Sequence, residues 1–157
     1  SEFGNTAIFS STNTIGAFLN GTYLTNYLDS EYRDMIEDET VWYLGTVGNS
    51  APYKLAKYAD ESGNKLTAST TSAKVGLLRF GELMAGQFDR SDNNTFYWTL
   101  TPYSTSSVHG VRNDCSGGSN NQTNERGVRP SINLKSNVVI TGGNGTKNNP
   151  FTIELSS

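Results

Sequence analysis

One cysteine and one histidine are all that 157 residues supply of those two types. Cys115 alone closes no internal disulfide, so cross-links cannot stabilise the fold. A single His and a single Cys also cannot assemble a zinc or copper site of ordinary ligand count. The expectation is no metal and no cofactor. No run of 18 apolar residues occurs, so nothing here reads as a membrane span. Lysine and arginine never form a block and the formal charge is −3, which argues against nucleic acid as a partner. Charged residues make up only 17% and hydrophobic residues only 34%.

Asn, Ser, Thr and Gly fill the gap, occupying 69 of the 157 positions. These residues favour caps, turns and β-structure over long helices. Seventeen aromatics supply an apolar payload that disordered chains lack. The length suits one domain with a real core. Ser1-Glu-Phe-Gly4 reads as a cloning scar, so the domain is placed at 5–157 and the chain is taken as a fragment. Low charge and abundant Asn/Ser/Thr fit an exported bacterial protein.

Ile15, Phe18, Leu19, Tyr23, Tyr27 and Leu28 recur at helical spacing, with Thr14 as N-cap and Asn20-Gly21 weakening the middle. A second short helix follows Asp29 or Ser30, with Tyr32, Met35 and Ile36 on its apolar face. Strands are expected at Thr40–Leu44, Lys74–Leu78, Thr95–Thr101 (closed by Pro102), Val108–Asn113, Val128–Leu134 and Val138–Ile140. Phe80–Phe88 reads as a short amphipathic helix, and residues 46–73 and Asp114–Glu125 as loops. Phe151, Ile153 and Leu155 alternate with polar residues, which predicts a half-buried final strand, and Asn144-Gly145 marks the turn before it.

The ordered set of motifs carries a resemblance. It consists of Leu19-Asn-Gly-Thr-Tyr23, Trp42-Tyr-Leu-Gly45, Lys74-Val-Gly-Leu-Leu78, Trp98-Thr-Leu-Thr-Pro102, Gly127-Val-Arg-Pro130, Leu134-Lys-Ser-Asn137 and Asn149-Pro-Phe151. The series, spanning roughly 14–155, resembles extracellular domains of Gram-positive bacteria often attached to type IV pilin-like N-termini. These look like members of the C-type lectin-like superfamily, which also holds formylglycine-generating enzymes and retroelement variable proteins. The family's Trp-rich opening strands are not evident here; either this fragment lacks them or residues 5–10 replace them. The resemblance implies an α+β, C-type lectin-like fold, with short helices packed on a small, mostly antiparallel sheet and long polar loops. It also implies an exposed location at the cell surface.

Tyr103 to Arg126 is the expected binding surface, because short polar side chains offer adaptable hydrogen bonds at small entropic cost. Candidate ligand-binding residues are Tyr97, Tyr103, Ser106, His109, Arg112, Asn113, Asp114, Asn120 and Asn121. Trp42 and Trp98 are candidates for sugar stacking, and because Tyr97 and Trp98 alternate faces, one should point outward. Arg129, extended by the following Pro130, is expected to latch onto Glu82, since a buried charge needs a partner. The oxygen-rich stretch Asp89–Asn94 misses the calcium-loop spacing.

No nucleophile elbow or acid–base pair stands out. The formylglycine-generating enzymes need two active-site cysteines, and Cys115 is alone. The expectation is a non-enzymatic adhesion or ligand-display domain of a surface or pilus-associated protein such as a minor pilin, whose partner is a protein or glycan and, in a pilus, other pilin subunits. The alternatives are a structural pilin-like head, a retroelement-diversified receptor-binding protein and, least favoured, a degenerate enzyme.

Overall fold

The computed structural model describes residues 1–44, 70–85 and 95–156. The remainder of the expected loop at 46–73, the end of the 80–88 helix and the Asp89–Asn94 stretch lie outside them. The architecture is α+β, with a few short helices and several small antiparallel sheets.

The first helical run is α1 (Thr14–Ala17), a π-helical turn (Phe18–Tyr23) and α2 (Leu24–Asn26). Its N-cap is Asn13 and not Thr14. Asn13 is extended and its Oδ1 accepts from the Gly16 N–H at 2.9 Å. Its Nδ2 reaches back to the Phe3 and Ile8 carbonyls. One side chain thus caps the helix and ties down the segment before it. The helix widens where Asn20-Gly21 was expected to weaken it. Asn20 accepts from the Val75 N–H and donates to the Val75 carbonyl, both at 2.9 Å. An amide side chain therefore pairs with a strand as another strand would. In α3 (Ser30–Asp34) and the turn after it, Met35 and Ile36 are buried but Tyr32 is exposed.

The strands are β1 (Thr40–Tyr43), β2 (Thr70–Ala73), β3 (Val75–Gly76), β4 (Tyr97–Ser104), β5 (Ser107–Val111), β6 (Gly117–Asn121), β7 (Ser131–Ile132), β8 (Val138–Gly142) and β9 (Thr152–Leu155); α4 (Phe80–Ala85) lies between β3 and β4. They pair as β1–β2, β3–β7, β4–β5–β6 and β8–β9, each antiparallel.

Four expectations fail here. Thr70–Ala73, expected as loop, is a strand because its threonines pair directly with Thr40–Tyr43. β4 runs through Pro102 to Ser104; the register shifts on either side of Pro102, where an irregular ladder tolerates a missing N–H. Gly117–Asn121, expected as loop, is a strand because β5 offers it an unbroken ladder, and tertiary context overrides its poor strand propensity. The final strand is not half-buried: Phe151 and Leu155 are exposed, since no second layer among the described residues covers that hairpin.

The core gathers Phe3, Phe9, Ile15, Leu19, Ile36, Trp42, Leu77, Trp98, Leu100 and Val108. Phe3 belongs to it, although Ser1 and Glu2 beside it are exposed. Phe3 is 0% exposed and donates to the Gln122 carbonyl, while the Ser1 carbonyl accepts from the Trp98 indole at 3.0 Å. The packed unit therefore includes the segment expected to lie outside it. Among the described residues, no helix is long and apolar enough to cross a membrane.

Candidate binding site

The β4–β5–β6 meander is the frame on which the expected ligand residues sit, and both of its faces are covered. Trp98 and Val108 pack into the core from one face. On the other, Phe80 of α4 stacks on the His109 ring at 4.9 Å. The Phe80 N–H donates to Thr101 Oγ1, and Thr99 Oγ1 donates to the His109 carbonyl. Tyr97 and Trp98 are therefore both buried, against the expectation that one would face outward. Trp42 is buried as well, its indole N–H given to the Ala73 carbonyl, so neither tryptophan is placed to stack on a sugar.

His109 is not a ligand-facing group. It is buried between Phe80 and the edge of Tyr103 (5.0 Å, 88°), and neither ring nitrogen has a hydrogen-bond partner of good geometry. Burial pulls its pKa below the usual 6.5, only partly offset by the Gly118 backbone. Burial likewise raises the Tyr97 phenol, against the pull of Arg129.

The remaining candidates divide between the two ends of the meander. Tyr103, Ser106, Asn120 and Asn121 lie at one end; Arg112, Asn113 and Asp114 lie at the other. Four strand rises along β5 separate the ends by about 13 Å. No single ligand patch gathers all nine residues. Several are also engaged in shaping their own turns. Asn121 Oδ1 accepts from both the N–H and the hydroxyl of Thr123, and Asn120 Oδ1 accepts from Asn124 Nδ2. Asp114 accepts from the Ser116 hydroxyl at 2.6 Å and from its N–H at 2.9 Å, which lowers the Asp114 pKa. Arg112 donates to the Gly117 carbonyl. Cys115 sits half-buried in this turn at φ 65°, its N–H given to the Arg112 carbonyl. Of the candidates, Ser106, Arg112, Asn113, Asp114 and Asn121 are exposed to solvent and Tyr103 is half-buried.

The expected Arg129–Glu82 latch does not form. Glu82 is held by Arg79: its Oε1 accepts from Arg79 Nη2 at 2.8 Å and its Oε2 from the Arg79 N–H at 3.0 Å. This is the returning half of a capping box at the start of α4. Arg79 is the nearer and more buried arginine, so it takes the carboxylate. The exposed Arg129 lies over the Tyr97 ring instead, 4.3 Å from its centroid, as a cation–π contact.

A cleft that sequence reasoning missed opens beside this ion pair. It has a volume of about 180 Å³ and is bounded by β1, β7 and the first turn of α4. Trp42 and Leu100 line its buried side, and the Trp42 ring leaves room for no Cβ at Gly76, 2.6 Å away. Tyr43 and Leu78, each 40% exposed, form its rim. Arg79, Glu82, Ser131 and Asn133 supply polar groups, and Asn133 Nδ2 is held by the Thr40 hydroxyl at 3.3 Å. The lining comes from four separated segments, so only the Arg79–Glu82 spacing, i to i+3 at a helix start, was a usable signal.

Among the described residues, no three His, Cys, Asp or Glu side chains gather as a metal site would require. No family model matches the chain, and neither a curated protein nor a solved structure does.

Proposed function

We propose that this chain is a non-enzymatic binding domain of the C-type lectin-like kind, displayed outside the cell on a bacterial surface or pilus, where it mediates adhesion to a protein or glycan. The observation that carries this reading is the doubly covered meander, which holds two sets of polar turns at its opposite ends. A stiff frame under short polar side chains lowers the ordering cost of binding. Three of the described carboxylates serve structure: Glu82 caps α4, Asp38 pairs with Lys74 at 2.9 Å, and Asp114 closes a turn. The test is a glycan and matrix-protein array probed with the whole chain. Saturable binding lost in Tyr103→Ala/Ser106→Ala or in Arg112→Ala/Asn113→Ala supports the reading and says which end is used. Binding unchanged in both pairs contradicts it.

A structural pilin-like head is favoured by one separate observation. The β8–β9 hairpin exposes Ile140 (64%) and Phe151 (53%), an apolar surface that subunit packing would cover. That reading expects no signal on the array, and Ile140→Asp to abolish self-association in sedimentation.

A further inference from the structure

We propose that Asn144, in the loop joining β8 to β9, is a site of spontaneous modification at which the local fold promotes loss of the side-chain amide, leaving aspartate and isoaspartate. The loop belongs to neither turn set of the meander, so this site stands or falls apart from the adhesion reading.

Sequence narrows the choice first. An asparagine followed by glycine is the most reactive setting for amide loss, because glycine carries no Cβ to shield its N–H. The chain holds two such pairs, Asn20-Gly21 and Asn144-Gly145. Local structure then separates them. Asn20 is half-buried in the π-helical turn, and its Nδ2 donates to the Gly16 and Val75 carbonyls at 3.0 and 2.9 Å. Its Oδ1 accepts from the Val75 N–H at 2.9 Å. The group that must leave is held twice, and closing a ring there would break these bonds and unwind the helical turn.

Asn144 stands in the opposite setting. It is exposed and lies between Gly143 and Gly145, which have φ of 81° and 77°. Among the described residues no hydrogen bond engages its Nδ2 or the Gly145 N–H. Leaving group and nucleophile are therefore both open to water. The Asn144 Oδ1, by contrast, accepts from the Thr146 hydroxyl at 2.8 Å and from the Thr146 N–H at 3.2 Å. Those donors face the oxygen on which negative charge gathers as the amide carbon becomes tetrahedral.

The chemistry balances with water alone. The Gly145 nitrogen loses its proton and bonds to Asn144 Cγ; the Cγ–Nδ2 bond breaks, and ammonia departs with that proton. Water then opens the succinimide. Attack at Cγ restores the main chain and leaves aspartate. Attack at the main-chain carbonyl leaves isoaspartate, whose chain runs a methylene longer. Either product adds a negative charge to the loop. The longer chain also displaces the Asn144 N–H, which now donates to the Asn149 carbonyl at 3.0 Å.

The experiment is peptide mapping by mass spectrometry on the full chain, aged at neutral pH in heavy-oxygen water, both native and in urea. Unfolded, the two pairs should react at similar rates. Folded, Asn144 should react at least about tenfold faster than Asn20, whose reaction waits on local opening. Its aspartate and isoaspartate should both carry the heavy oxygen. Thr146→Val should slow the native reaction about two- to tenfold, the worth of an ordinary hydrogen bond, with unchanged circular dichroism. Thr146→Ser should restore the rate. Equal rates at the two asparagines in the folded chain overturn the proposal, as does an Asn144 that keeps its amide natively while reacting in urea. An undiminished rate in Thr146→Val overturns it too.

Discussion

The β4–β5–β6 meander and the β8–β9 hairpin are both antiparallel ladders, and both β5 and β8 are five residues long. Their surroundings are opposite. The meander is sandwiched between the N-terminal core and α4, so even its histidine is buried. Apolar residues fill a larger share of the hairpin's strands, five of nine (Val138, Val139, Ile140, Ile153 and Leu155) against six of eighteen in the meander, yet most of its surface faces solvent. Stability here follows how many faces are covered, not how hydrophobic the strand is. A two-stranded ribbon without a second layer is marginal on its own. A glycine-rich edge strand laddered onto a buried neighbour is not.

The comparison breaks most severely at Trp98, which is 1% exposed and touches Phe3 and Phe96 edge-on. Trp98→Ala should cost about 3–5 kcal/mol, seen as a lower urea midpoint with an unchanged slope. Next is a matched pair of glycine substitutions. At Gly110 a Cβ would sit 2.3 Å from the Phe96 ring and 2.4 Å from the Tyr97 carbonyl, so Gly110→Ala should cost about 1–3 kcal/mol. At Gly142 it would meet only the Thr152 hydroxyl at 2.9 Å, and the same change should stay within about 0.5 kcal/mol.

Acid provides a subtler probe. His109 is the only histidine, and burial lowers its folded pKa below 6.5. Between the folded and unfolded values the unfolded chain binds the extra proton, so stability is full above about pH 6.5 and is lost as pH falls. The carboxylates of Asp38 and Asp114 are held below 3.8, so their contributions disappear only in stronger acid. Urea midpoints between pH 7 and 5 should therefore fall in the native chain and stay nearly flat in His109→Phe. The smallest effect is expected at Ile140→Ser in the hairpin, within about 0.5 kcal/mol on the same melts.

Much of this was legible in the residues, for identifiable reasons. The helix at Thr14–Asn26 and the strands at Thr40–Tyr43, Tyr97–Ser104, Val138–Gly142 and Thr152–Leu155 all carry periodic or aromatic-rich patterns. Thr70–Ala73 and Gly117–Asn121 lack an alternating apolar signal and become strands only through their partners. Alternation told which Tyr97 and Trp98 faces differ, but not that both faces would be covered. Two arginines competed for Glu82, and proximity at the helix start decided it for Arg79. The turn chemistry of Asp114 and Asn121 was written locally, whereas a cleft drawn from residues 40–43, 78–82, 100 and 131–133 was not.

Native-state hydrogen exchange across the two ladders tests the account most directly. The backbone amides of Thr99 to Val111 that are bonded within the meander should exchange only through near-global unfolding, while those of Val138 to Leu155 exchange through local opening orders of magnitude faster. Equal protection in both ladders, or faster exchange in the meander, would contradict the claim that a doubly covered sheet is the rigid frame of this domain.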